Sequence, residues 1–380
     1  MKRRSLVFAG PALLAGGMVS GPCANAASPG NVIKFGQSAS LTGGQAGYGR
    51  DVRDGVIAAF AAANSADGGK GPRFELVTVD DGGVKDRCAQ NVKALIDGGV
   101  SAIIGLTSGA GAEACMPVVT HSQIALLGTA SGNMGIRMGS ANGAYHVRAG
   151  YDLEYKRMTG YIKDFGMRRI GVVLLQDTSK ANLAAMTQAL GSLSIAPLEV
   201  IAVDRNAASF AGVAAKLLAA KLDCVLFATN AAPIASIIDL MSAAKYPGLF
   251  YASSFAGQDL INTLTAKKQS CIMSMVVPRP SSAGLNVVSR CRQDLAAVGP
   301  DIKLGITTLE GYIAGRIAVE AARTALKAGG DHLSRSRMKE SLAALRTDLG
   351  GYRVDFAAGS TQGSQYVDLI AVDRYGRLVG

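Results

Sequence analysis

Residues 101–133, SAIIGLTSGAGAEACMPVVTHSQIALLGTASGN, decide the fold. The stretch opens on an apolar run, Ala102-Ile103-Ile104, of the kind a buried strand uses. A turn rich in Gly, Ser and Thr follows over 105–111, then a helical pattern over 112–120 and a second apolar run over 124–127. A second small-residue turn closes the stretch at 128–133. In a parallel α/β sheet both turns leave the carboxyl ends of strands, where such sheets hold ligands. Small residues at Ser108, Gly109 and Ala110 leave the first helical N–H groups uncovered, so a carboxylate or phosphate can sit on them.

The same alternation runs outward in both directions. Upstream, strands are expected over 32–37 and 74–79 and helices over 51–64 and 85–97. The first helix carries Val52, Val56, Ala59, Phe60 and Ala63 on one face. Residues 145–148 leave this series, and a helix over 152–165 follows. The alternation then restarts, with strands over 170–175, 198–203, 224–227 and 249–251 and helices over 180–192, 210–220 and 233–244. A strand over 271–277 ends at Pro278-Arg279-Pro280. Helices over 286–297, 307–328 and 335–345 and strands over 352–356 and 366–373 complete the chain. Two βα series imply two α/β lobes. The helices after Pro278 are expected to return to the first lobe, whose sheet otherwise lacks cover, and the last strands to complete the second. Such interleaving gives several crossings, a hinge and a cleft between the lobes.

Composition agrees with this plan. A chain of 380 residues can bury two sizeable cores, and 47 Gly suit many tight βα turns. Trp is absent and aromatics are 6%, which argues against large stacking platforms. The N-terminus reads as an export signal: Lys2-Arg3-Arg4, an apolar run over 6–19 too short to span a bilayer comfortably, and Ala24-Asn25-Ala26 as a cleavage site. Arg3-Arg4 leaves Sec and twin-arginine export both open. Removing the three leader cations takes the net charge from +11 to +8. The remaining Lys and Arg are scattered, so a solvated surface is expected rather than a nucleic-acid partner. Five cysteines remain, with Cys88–Cys115 and Cys271–Cys291 as the first candidate disulfides and Cys224 as a core thiol.

Enzyme chemistry has one foothold. Residues 109–114, GAGAEA, mimic the dinucleotide fingerprint G-x-G-x-x-A, but the acid expected near the end of the next strand is absent. His121, His146 and His332 have no metal-ligand spacing, and no G-x-S-x-G elbow or C-x-x-C occurs. No enzyme activity and no cofactor are expected. A sensory role has no attached signalling domain or membrane segment to support it.

IKFGQSASLTGGQAGYGRDVRDGV over 33–56 resembles the first signature of the periplasmic solute-binding proteins of the Leu/Ile/Val-binding type. The resemblance continues through Asp80-Asp81-Gly82-Gly83, IIGLTSGAG, LLGTASGNMGIR, Arg148-Ala149-Gly150-Tyr151, Val276-Val277-Pro278, Thr308-Leu309-Glu310-Gly311-Tyr312 and LGGYRVDFAAGSTQGSQYVDLIAV, the later ones closest to a proteobacterial subgroup. It implies the two-lobed type I periplasmic-binding-protein fold, with lobes 27–147 plus 278–350 and 148–277 plus 351–380. It implies a monomer in the periplasm that captures a small-molecule solute and passes it to an inner-membrane ABC transporter permease.

The family's pocket positions fall on particular residues here. Ser108, Gly109 and Ala110 would meet the ligand carboxylate through backbone N–H groups. Ala130 would offer its carbonyl, with Ser131 and Gly132 where the family has a threonine, and Ser254 where it has an acid. Tyr48 matches a pocket tyrosine, Tyr151 reads equally as hinge packing or ligand contact, and Glu310 reads as a structural partner. With two usual partners of a ligand ammonium gone, a carboxylate with a neutral or apolar body fits better than a standard zwitterion, unless Asp177 points inward.

Overall fold

A computed structural model describes residues 31–66, 68, 70–137, 143–329, 332–357 and 359–380; the expected export signal lies outside the described residues. The first sheet contains β1 (Val32–Ala39), β2 (Arg73–Asp80), β3 (Ala102–Ile104), β4 (Leu126–Leu127) and β5 (Ala144–Tyr145). All pair in parallel, in the order β2-β1-β3-β4-β5. Between them run α1 (Ala46–Ala66), α2 (Lys85–Asp97) and α3 (Gly109–Ser122). Alternation along β3 sends Ala102 and Ile104 into one core and Ile103 into another, where it meets Val92 of α2 and Val119 of α3.

The second series runs α4 (Tyr151–Asp164), β6 (Ile170–Leu175), α5 (Lys180–Gly191), β7 (Glu199–Val203), α6 (Ala211–Ala219), β8 (Cys224–Ala228), α7 (Ala231–Ala243), β9 (Leu249–Ala252), α8 (Gly257–Lys267) and β10 (Cys271–Met275). Next come α9 (Asn286–Val298), α10 (Ile306–Lys327) and α11 (Arg335–Ala343), the ribbon of β11 (Arg346–Asp348) and β12 (Arg353–Asp355), and finally β13 (Asp368–Val372) and β14 (Leu378–Val379). The second sheet is ordered β14-β13-β10-β9-β8-β6-β7, parallel from β6 to β10, with β13 and β14 antiparallel at one edge. Its central strand β8 is apolar and almost wholly buried, whereas edge strand β7 alternates, because only central strands are covered on both faces.

Helices α9 and α10 return to the first sheet and pack on α1, as the missing cover of that sheet required. The α1–α10 contact is close enough to need glycine. A Cβ added at Gly55 would overlap the Thr308 carbonyl oxygen, and one at Gly311 would overlap that of Val52.

Three readings of the sequence need correction. Helix α1 begins at Ala46 rather than Asp51, because Gly49 packs against the Ser40 carbonyl and tertiary contact overrides its low propensity. Helix α8, unforeseen, buries Leu260, Ile261 and Leu264. Cys271 and Cys291 do not pair. Cys271 lies on β10 of the second sheet with its Sγ against the Phe250 carbonyl, and Cys291 lies on α9 over the first. Cys224 is a buried core thiol, as expected.

Gly311→Ala should destabilise the protein by about 1–3 kcal/mol through overpacking, although alanine is the better helix former. The midpoint of urea unfolding measures this, and an unchanged or higher midpoint would refute the close approach.

Candidate functional site

Ser108 caps α3: its Oγ accepts the Gly111 N–H at 3.2 Å, and its carbonyl accepts the Ala112 N–H at 2.9 Å. The first helical N–H groups have no acceptor within their own helix. Those of Gly109 and Ala110 therefore stay uncommitted among the described residues, and both residues line a narrow cleft with about 40 Å³ of enclosed space. The second small-residue turn braces the first, since Asn133 Nδ2 donates to the Gly109 carbonyl at 2.8 Å. A Cβ on Gly109 would lie 2.8 Å from Ser131 Oγ and 3.0 Å from Asn133, so this glycine lets the two turns meet.

The opposite wall comes from the second lobe. Tyr151, Tyr155, Leu175, Ala228 and Phe255 give it an apolar body, and Asp177, Asn182 and Arg205 give it polar groups. Asp177 does line the cleft, but its carboxylate is paired with Arg205. Arg205 also reaches across to Gln45 Oε1 of the first lobe at 3.1 Å. Asn182 is committed too, accepting the Met134 N–H at 2.7 Å.

Of the residues singled out in the sequence, Ser108, Gly109, Ala110, Ser131 and Tyr151 line this cleft. The others lie behind it. Tyr48 donates its hydroxyl to the Ala130 carbonyl at 2.7 Å and packs edge-on against Phe255. Burial holds the Tyr48 phenol well above its ordinary pKa, so it stays a donor. Gly132 makes room for the Tyr151 ring, and Tyr151 Oη lies 3.3 Å from Ser131 Oγ. Ser254 is buried beneath the wall.

The sequence showed no acid at Ser254, yet the fold brings one there. Glu154 projects from α4 and accepts the Ser254 N–H at 2.9 Å, the Ser254 hydroxyl at 3.0 Å and the Ser274 hydroxyl at 2.5 Å. It is also ion-paired with Arg148, which donates to Ser254 Oγ at 2.5 Å and to Glu310 Oε1 at 3.2 Å. Arg148 is 0% exposed, and its two acids come one from each lobe. Burial works to lower its pKa, but Glu310 and Glu154 outweigh burial and raise it. Burial acts in the opposite sense on the acid and raises the Glu310 pKa, against the pull of Arg148. Nearby Arg137 is lowered to about 9 by burial and by Arg148. Sequence reasoning missed Glu154, Asn182, Arg205 and Phe255 as wall or support residues. For Arg205 one signal was available: it follows the carboxyl end of β7, where α/β sheets place their sites.

A family model described as periplasmic binding protein matches residues 32–377. The chain belongs to the periplasmic binding protein family. Solved structures agree with the type I fold of that family. A possible leucine/isoleucine/valine-binding protein from Rhodopirellula baltica SH 1 superposes with a TM-score of 0.85 at 24% identity, over 93% of this chain and 97% of its own. A branched-chain amino acid ABC transporter protein from Thermus thermophilus with bound valine gives 0.81 at 15%, over 93% and 96%. A fatty acid ABC transporter substrate-binding protein from Thermomonospora curvata gives 0.80 at 17%, over 92% and 91%. No curated protein matches the chain. Membership of that family gives the chain a small molecule as ligand and the periplasm as its compartment. Among the described residues no helix is long and apolar enough to cross a membrane, and no cluster of acid, His and Cys side chains could hold a metal.

Two predictions follow from the charges around this site. Arg148→Met leaves two buried carboxylates without their cation, so urea melts at pH 7 should show a loss of about 3–5 kcal/mol. Part of it should return as the pH falls and the acids take up protons; a variant as stable as the parent would refute the clasp. On α1, burial and then the Asp259 and Asp54 charges push Asp51 up to about 7, with Arg50 opposing. A folded pKa above the unfolded value means that the folded state binds the proton more tightly. Stability from this group is therefore complete below about pH 4 and is lost as the pH rises through about 7. Asp51→Asn should flatten the stability profile between those limits, and an unaltered slope would assign the dependence elsewhere.

Proposed function

We propose that this chain is an exported receptor for a small carboxylate-bearing solute, an amino acid or related organic acid. The two lobes, 27–147 plus 278–350 and 148–277 plus 351–380, close on the solute and present it to an inner-membrane ABC importer. The observation that supports this reading is the pair of uncommitted N–H groups at Gly109 and Ala110, residues that line the cleft at a helix N-terminus, where an anion is favoured. The names of the Thermus and Thermomonospora proteins, valine and fatty acid, are both carboxylates and support the same chemistry. The body of the solute is neutral or apolar. Leu175, Ala228, Phe255 and the two tyrosines supply its contacts, while Asp177 and Glu154, the nearest acids for an ammonium, are already paired with arginines. Binding acts as a population shift, with contacts from both lobes favouring the closed form.

A thermal-shift screen of the chain starting at Ala27 against amino acids, aliphatic and aromatic carboxylates and NAD tests the reading. A carboxylate is expected to raise the melting temperature; a shift with NAD alone would favour a nicotinamide enzyme instead. Ala110→Pro then removes one donor at a helical position where proline is tolerated. Calorimetry should show affinity for the carboxylate falling about tenfold or more, the value of one charge-assisted hydrogen bond. Unchanged affinity would place the anion elsewhere.

A further inference from the structure

Helices α2 and α3 lie side by side under the first cleft turn, and between them the Sγ atoms of Cys88 and Cys115 are 3.6 Å apart. Both residues are buried, at 1% and 0% exposure. The other described cysteines have no such neighbour: Cys224 and Cys271 belong to the second sheet and Cys291 to α9. Glycine at 111 leaves the space that the Cys88 side chain fills, since a Cβ there would meet Cys88 Sγ at 3.0 Å and its Cβ at 3.1 Å. Two buried thiols 3.6 Å apart on adjacent helices have only each other as a sulfur partner within reach, and an S–S bond would bring them to about 2.05 Å.

We propose that Cys88 and Cys115 form a disulfide that ties the ligand-turn helix α3 to α2. Its formation in the cell rests on export to an oxidising compartment. The chemistry is thiol–disulfide exchange with a disulfide oxidant such as oxidised glutathione or a periplasmic thiol oxidase. One cysteine thiolate attacks the oxidant's S–S bond and expels a thiolate. The second cysteine then displaces the other half of the oxidant. The chain loses two protons and two electrons, and the oxidant leaves as two thiols. The partner thiol and burial hold the folded Cys88 thiol far above its ordinary pKa. Exchange therefore runs while the core is still open, and the finished bond is shielded from reductant.

The test is refolding of the chain from Ala27 in a buffer of oxidised and reduced glutathione, then alkylation with iodoacetamide in denaturant without reductant. Three cysteines should be modified, Cys224, Cys271 and Cys291, and a linked peptide pair should contain Cys88 and Cys115. The oxidised protein should also show a higher urea midpoint than the same protein reduced. Five alkylated cysteines, or a linked pair other than this one, would overturn the pairing. The glutathione experiment does not depend on where the cell keeps the chain. Export is read separately by N-terminal sequencing of the periplasmic fraction, where a start at Ala27 is expected.

Discussion

A guanidinium shut away from water must be met by opposite charge and by acceptors, and Arg148 imposes that requirement on both lobes at once. Glu154 comes from α4 of the second lobe and Glu310 from α10 of the first. Each oxygen of Glu154 is committed: one to Arg148 and the Ser254 hydroxyl, the other to the Ser254 N–H and the Ser274 hydroxyl. The cluster joins a chain crossing, a helix of each lobe and strand β10 in one hydrogen-bonded unit. Such a unit contributes little net stability over an apolar core, but it is costly to break and specific in geometry.

The cleft has two kinds of wall. On the first lobe, a main-chain turn forms the lining: Ser108 caps α3 and Asn133 braces the Gly109 carbonyl. On the second lobe, side chains form it, with aromatic and aliphatic groups around a self-neutralised Asp177–Arg205 pair.

The lobes also touch through polar contacts of opposite tendency. Arg205 bonded to Gln45 draws them together. The Asp259 charge adds to the burial that raises the proton affinity of Asp51, while Asp259 itself is raised by burial.

Sequence alone determined the βα alternation, the burial of central strands such as β6 and β8, and the helix-opening turn at Ser108-Gly109-Ala110. These depend on periodicity and on residues adjacent in the chain, and the return of α9 and α10 followed from the need to cover an apolar sheet. Tertiary structure decided what periodicity does not carry. Glu154 reads as one acid among the polar positions of an amphipathic helix until Ser254, from 100 residues away, packs on it. Tyr48 and Ala130 satisfy each other instead of facing the cleft, because a buried hydroxyl takes the acceptor its surroundings offer. Asp177 was legible as a cleft residue, but its charge was not available to a ligand, since only the folded chain brings Arg205 beside it. Local pattern fixes which groups exist at a strand end; long-range packing fixes which of them remain free.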